Sequence, residues 1–540
     1  MQRFLECLEL KTLVCDDLDR KSAYALALTN SAFLHPGLKK VWQTIDTFEP
    51  LLRCLPADVL SETKLRAFFT RMPTVAMSLR RPLVAEDLAR YRSHARYIRE
   101  FKIDMYRCKR LPAADLLHGL ELVTEKQHGA LAPNLRSFKA FPRIPLKTDL
   151  LQSLSPFTYL FMGTRIEQLE VRLSAELPLD AALIQSTSQS VPNLKALNFS
   201  ADSDLPLTTK YLSSSTWDNL QSFCARTCSS ISILASLPQL RTLRLTEVQN
   251  TDIQIQSTLL DQDTLEVRNR GFPSLREMEV HARSFTIILE FIRHLPTSNT
   301  IRTLTFGTFL SPASPPEIQD ILSSIRARVN PLTLESLQIA DNELDEVHQQ
   351  AFWAPGPDIE PPEPEDLGYD EPIDALPHTH DFTNLEVLVL RFNERIRVTS
   401  GDLAAIPGRW PRLTRFEISE TGPKPQHPLV DHTDLMALVE HCPSLRVLGV
   451  PFDTTRISGE ERSPQGPFLL SRLYVIGSPI CSPSCVAEFL QGNFPELEQI
   501  ELAFDDPRLN YSDSKTINRW VKVRELVIPH WEPEGYSVPS

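Results

Sequence analysis

Two cysteine pairs with the same spacing, Cys224 with Cys228 and Cys481 with Cys485, are the residues of this chain best suited to hold a soft metal ion. A structural zinc site would need both pairs at one point, yet more than 250 residues separate them. His281, pointing outward beside Glu277 and Glu279, could serve as a base but reads first as a surface residue. There is no Gly-rich phosphate loop, no nucleophile elbow and no His-Glu-x-x-His, and only 17 glycines in 540 residues. The sequence therefore nominates no catalytic, cofactor-binding or metal-binding residue, and the chain is read as not an enzyme. An enzyme using an unrecognised site stays open as a separate class.

The elements that would position any functional surface come from one short pattern, apolar-x-x-apolar-x-apolar. It starts at Leu135, Ile166, Leu194, Leu220, Leu240, Leu275, Ile301, Leu334, Leu385, Leu413, Leu445, Leu470, Leu497 and Val523. In each copy the last two apolar positions are two apart, which places them on one face of a short strand. A single strand cannot bury that face alone, but parallel stacking of copies merges the faces into one core, with returning helices outside. Two returns are readable. Thr433 to Cys442, capped by Asp434, carries Leu435, Leu438, Val439 and Cys442 on one side, and Pro315 to Val329 carries Ile318, Ile321, Leu322 and Ile325.

The pattern is that of leucine-rich repeats, which favour Asn or Cys at the ninth position. Asn342, Asn393 and Cys228 satisfy this, and Asp202, Asp453, Asp505, Ser174, Thr421 and Ser478 are short polar substitutes able to bond the turn backbone. The expected fold class is α/β: a leucine-rich-repeat solenoid, a horseshoe like ribonuclease inhibitor with parallel strands on its concave face, preceded by an all-α module. The domain reading is 1–45 for a three-helix module, 46–130 for a helical linker packed on the solenoid, and 131–540 for the repeats. Residues 354–381 interrupt the array with nine acids, seven prolines and no Lys or Arg. That composition predicts an exposed, mobile loop, either a tolerated insertion or a partner-contacting acidic lid.

Net charge excludes some partners. Against 69 Asp and Glu stand 56 Lys and Arg, giving -13, the wrong sign for a protein that draws affinity from phosphates. The ten basic residues between Arg80 and Arg110 read as a solvated helix face around Leu88, Tyr91, Ala95 and Ile98, a stripe that would dock the linker on the first repeat. No run of 18 apolar residues could span a bilayer, and Met1 to Cys15 lacks the uninterrupted core of a signal peptide. With nine scattered cysteines, these features predict an intracellular protein, cytoplasmic or nuclear, with reduced thiols, no nucleic-acid partner and no membrane association.

The first 42 residues read as three short helices. Leu10, Val14 and Leu18 stripe the first, Asp19 to Ser22 breaks the chain, Ser22 to Phe33 forms the second, and His35-Pro36-Gly37 separates it from a third reaching Leu38, Val41 and Trp42. Glu9-Leu10, Val14, Leu18 to Ser22, Ala27-Leu28, Ala32-Phe33, Pro36, Leu38 and Val41-Trp42 resemble the F-box, the module that docks to the adaptor subunit of SCF-type ubiquitin ligases. With Trp42 to Ile45, Pro50 to Pro56, Leu79 to Leu83 and Asp87 to Ile103, the likeness extends to F-box and leucine-rich-repeat proteins of basidiomycete fungi. This chain has Cys7-Leu8 where the family opens with Leu-Pro. The resemblance implies a substrate-recognition subunit whose adaptor-binding residues are Leu10, Val14, Leu18, Leu28, Pro36, Val41 and Trp42. The alternative is a repeat scaffold with a degenerate F-box and no ubiquitin role.

Between the apolar positions, strand residues face away from the core, where partners usually bind. Val387, Val389, Arg391, Arg415, Glu417, Arg472, Tyr474 and Ile476 occupy such positions on late copies, making an apolar and arginine-bearing surface for an unknown substrate protein. A flanking loop covering the same residues is the other reading.

Overall fold

The computed structural model describes residues 7–64, 75–104, 109–141, 155–173, 190–201, 217–228, 230–248, 271–309, 313–341, 372–420, 428–475, 477–502 and 514–528. They fall into two compact units, 1–240 and 241–540.

The first unit begins with helices α1 (Leu8–Asp17), α2 (Arg20–Thr29) and α3 (Ser31–Gln43). Asp19 starts α2 by accepting a hydrogen bond from the Ser22 amide at 2.7 Å, and Asn30 starts α3 by accepting from Ala32. The expected break at His35-Pro36-Gly37 is therefore displaced to Asn30, and Pro36 lies inside α3. The reason is packing: a Cβ on Gly37 would stand 2.7 Å from Ala27 Cβ and 2.8 Å from the Ala23 carbonyl. Only a bare glycine lets α2 and α3 approach so closely, and that contact holds the helix through its proline.

Strands β1 (Thr44–Ile45), β4 (Glu100–Asp104), β6 (Ser137–Phe141), β7 (Gln168–Leu173), β8 (Ala196–Ala201) and β9 (Ser222–Ala225) form a parallel ladder in that order. β2 (Leu60–Lys64), β3 (Val75–Leu79) and β5 (Arg110–Pro112) form a separate small sheet. Residues 46–130 are thus not a purely helical linker. Ile98, Phe101 and Ile103 are themselves a copy of the repeat pattern, with β4 paired to β6, so the ladder starts before residue 131. The stripe of Leu88, Tyr91, Ala95 and Ile98 is buried, and the Tyr91 hydroxyl donates to the Leu131 carbonyl at 3.1 Å.

In the second unit β10 (Thr242–Val248), β11 (Glu277–Ala282), β12 (Thr303–Thr308), β13 (Ser336–Ala340), β14 (Val387–Phe392), β15 (Arg415–Glu420), β16 (Val447–Gly449), β17 (Arg472–Tyr474) and β18 (Gln499–Glu501) pair in sequence, all parallel. Thirteen of the fourteen pattern copies place a strand two residues after their first apolar residue. The fourteenth, at Val523, lies in a helix, Ser514–Val527. The apolar positions are sealed: Leu304, Phe306, Leu337, Ile339, Leu388, Leu390, Phe416 and Leu448 have no measurable exposure. At roughly 1.5–3 kcal/mol per fully buried side chain, each added strand extends the stabilising core.

Returning helices close the turns. α4 (Phe285–Arg293) buries apolar residues almost all round, and α5 (Pro315–Arg328) buries the four residues read from the sequence. α6 (His432–His441) is capped by Asp431, which accepts from the Thr433 and Asp434 amides, while Asp434 reciprocates as the third helical residue. The cap is thus three residues ahead of the Asp434 inferred from sequence.

The fold class is that of a leucine-rich-repeat protein. Of the acidic interruption, 354–371 lies outside the described residues, whereas 372–381 is not an exposed loop. Ile373, Ala375, Leu376 and Thr379 are buried, and Asp381 pairs with Arg326 at 2.7 Å. Ile373, Ala375 and Leu376, with Phe382 just beyond, anchor this end despite its acids and prolines.

Candidate protein-interaction surfaces

The first surface belongs to α1–α3, whose interior is made mostly of small groups, Cys15, Ala23, Ala27 and Gly37, together with Pro36 and one large side chain, Phe33. Large apolar side chains point the other way. Leu8, Leu10, Leu13, Val14, Tyr24, Leu28 and Leu34 are all exposed, Leu28 to 67% and Leu13 to 64%. Helical spacing places Leu10, Leu13 and Val14 on one face of α1, and Tyr24 and Leu28 on one face of α2. A helix pair that turns its bulky residues outward carries an apolar face suited to a partner.

The residues nominated from sequence divide accordingly. Leu10, Val14 and Leu28 are exposed, and Leu18 and Val41 are half-buried. Pro36 is buried within the module and faces no partner. Trp42, also half-buried, stacks on His94 with ring centroids 4.6 Å apart, tying α3 to the helix Ala89–Ala95. Burial, with help from Arg90 and Arg96, lowers the His94 pKa, so the ring against Trp42 is neutral at pH 7. A second tie joins the Tyr97 hydroxyl to His35 at 3.0 Å. Leu13, Tyr24 and Leu34 were missed from sequence because they do not match the resemblance; their exposure only emerges once α2 and α3 are packed.

The second surface is the open face of β13–β18, on the side of the sheet opposite the buried leucines. In-register pairing aligns Ser336, Val387, Arg415, Val447, Arg472 and Gln499 in one row, and Gln338, Val389, Glu417, Gly449, Tyr474 and Glu501 in the next. Glu417 is fully buried although it stands on the open face. Its carboxylate takes the Nε of Arg391 on one oxygen and, at 2.7 Å, the Nη2 of Arg415 on the other. Both guanidiniums lie over Tyr474, at 5.5 and 6.0 Å from its ring centroid. Gly449 on the intervening strand makes this possible, because a Cβ there would meet Glu417 Cγ at 2.7 Å and Tyr474 Cβ at 3.0 Å.

The structure therefore brings together Val387, Val389, Arg391, Arg415, Glu417, Arg472 and Tyr474, while Ile476 lies outside the described residues. Glu417 is not available for direct contact; it is the anchor beneath the arginines. On β10–β12 a related arrangement holds His281 over Gly307 and beside Glu279, which also pairs with Arg244 at 2.8 Å. His281 is thus enclosed in the sheet face and not a free surface residue.

The ninth-position residues serve the turns. Cys228 Sγ donates to the Ser230 carbonyl, and the Ser478 hydroxyl accepts from the Phe452 amide at 3.1 Å. Asp453 accepts from the Thr455 amide at 2.8 Å. Asn342, Asp202, Asp505, Ser174 and Thr421 lie outside the described residues. Among the described residues no group of three or more His, Cys, Asp or Glu is placed to hold a metal ion, and no helix is long and apolar enough to cross a membrane.

No protein-family model matches this chain, and no curated protein matches it. Among solved structures it is similar to the Rad7 and Elc1 complex in yeast, at 14% identity and a TM-score of 0.34, over 68% of this chain and 85% of that one. It is also similar to a leucine-rich-repeat protein of Leptospira interrogans, at 13% identity and a TM-score of 0.33, over 75% of this chain and 90% of that one.

Proposed function

We propose that this protein is a non-catalytic recruiting subunit of an SCF-type ubiquitin ligase: α1–α3 bind the adaptor, and the repeats hold the protein to be modified. The carrying observation is the inversion of the first module, which keeps Ala23, Ala27 and Gly37 inside and leaves Leu10, Leu13, Val14, Tyr24 and Leu28 outside. A module this small gains nothing from exposed leucines unless a partner covers them. The F-box resemblance of the same residues supports an adaptor as that partner, and the absence of a catalytic constellation in the sequence supports assigning chemistry to other subunits.

The test is a binding titration of the full-length chain with the purified adaptor. The intact chain is expected to bind, and Leu28→Glu to lose at least tenfold in affinity with an unchanged melting temperature. Leu28 is the residue to replace because it is exposed, whereas Trp42 also supports the helix Ala89–Ala95. Failure of the intact chain to bind would end the ubiquitin reading and leave a repeat-based interaction scaffold.

A further inference from the structure

The arginine cluster of β14–β17 holds more positive charge than its buried carboxylate can neutralise. Arg391 and Arg415 share Glu417, and Arg472 stands in the same row as Arg415, two strands away. Arg472 makes no side-chain hydrogen bond or ion pair among the described residues. Among the described residues of β14 to β18 the open face carries Arg391, Arg415 and Arg472 against Glu417 and Glu501, in a chain whose net charge is -13. Arg391 and Arg415 keep about a quarter of their side chains in solvent, at 27% and 26%. Beside them Val387, Val389 and Val447 make an apolar floor.

We propose that this face captures an acidic, extended segment of a protein partner, with carboxylates on Arg415 and Arg472 and an apolar side chain against Val387 and Val447. It rests on the substrate-holding half of the function above and names the chemical class of what that half receives. Glu417 and Tyr474 act as positioning residues. They fix the guanidiniums before the ligand arrives, so less side-chain freedom is lost on binding. Arginine suits the task because its planar fork meets a carboxylate with two parallel hydrogen bonds. Strands lie about 4.8 Å apart, so Arg415 and Arg472 are separated by roughly 10 Å, the span of about three residues of extended peptide. The matching ligand therefore carries two acids on one face of the extended segment, which alternation places an even number of positions apart.

The experiment selects twelve-residue peptides from a random display library on the full-length chain, then measures the winners by fluorescence anisotropy. Winners are expected to carry paired Asp or Glu, to lose at least tenfold in affinity when these become Asn or Gln, and to lose at least tenfold on Arg472→Glu. Arg472 is chosen because Glu417 does not depend on it. Should that variant melt at a lower temperature, the Asn and Gln peptides decide alone, since they leave the protein untouched. Winners without acidic bias, equal binding by Arg472→Glu at unchanged melting temperature, or displacement of the peptides by a uridine 20-mer each overturn the proposal. Adaptor binding is read separately on α1 and α2. A chain that takes acidic peptides but ignores the adaptor ends only the ubiquitin reading, and the reverse result ends only this one.

Discussion

The three-helix module and the late strands of the second unit use apolar and polar groups in opposite ways. In α1–α3 the interior is built mostly from Ala, Cys and Gly around the single ring of Phe33, and the bulky leucines face solvent. On β13–β17 the bulky residues are sealed inside, and even a carboxylate on the open face, Glu417, is withdrawn from water by its neighbours. A ladder has a copy of itself on either side, so each strand completes the core of the next. A module of three short helices has no such neighbour and remains apolar outside, which makes it dependent on what docks there. Truncations should therefore act on stability in the ladder and on binding in the module.

The largest effect should come from the ladder core. Trp410 is fully buried between His380 and Phe416, and Trp410→Ala is expected to cost about 3–5 kcal/mol in denaturant unfolding. An effect below about 1 kcal/mol would mean that the second unit is not held together by this core. Glu417→Ala comes next, at roughly 3 kcal/mol, since removing one partner of a buried ion network leaves the others unpaired. The arginines keep some water contact, which holds the cost at the lower end. If Glu417→Ala melts as the wild type does, the cluster is not preorganised and the contrast with the module weakens.

Gly37→Ala probes the module's own small-residue interior. The added methyl would press on the Ala23 carbonyl and on Ala27, and the expected cost is about 2 kcal/mol, read as loss of helical signal from residues 8–43 at a lower temperature than the rest. An unchanged melt would show that α2 and α3 are not in close contact, and the inverted arrangement of apolar groups would lose its basis.

The repeat was legible because its spacing is unusual, yet the same spacing explains both errors. Its first two apolar positions are three apart, which a helix also satisfies. The pattern makes Val523 a strand start although it continues a helical face with Trp520, and makes Ile98 the end of a helical stripe although it opens a strand copy. Local pattern cannot separate the two; only pairing to a neighbouring strand does. The helix boundary at Asn30 was hidden by Pro36, because a proline signals a break and only the contact of Gly37 with Ala27 cancels it. For the late-strand surface, alternation sufficed to name Arg391, Arg415, Glu417 and Tyr474. That Glu417 lies beneath the arginines depends on the register of neighbouring strands whose paired residues are 25 to 32 positions apart, which no single copy contains.

The smallest predicted effect concerns acid. In the turn after β16, the Glu461 carboxylate accepts from the Ser458 amide and hydroxyl at 2.8 and 2.9 Å and from the Gly459 amide at 2.8 Å. Burial pushes its pKa up, but these bonds and its own amide outweigh burial and lower it from 4.5 to about 2. A carboxyl whose folded pKa is depressed contributes stability above its unfolded pKa, and that contribution is lost as pH falls from about 4.5 toward 2. Glu461→Gln should therefore cost on the order of 1 kcal/mol at pH 7 and nothing near pH 2. The module offers the matching control in Asp19, whose pKa is lowered by the backbone and hydroxyl of Ser22 at an exposed helix start. Asp19→Asn should show the same sign of pH dependence with a smaller amplitude, because water screens and replaces those bonds. Unfolding curves of the two variants between pH 2 and 7 check this, and an equal or larger amplitude at Asp19 would contradict the idea that the ladder encloses its polar groups more tightly than the module does.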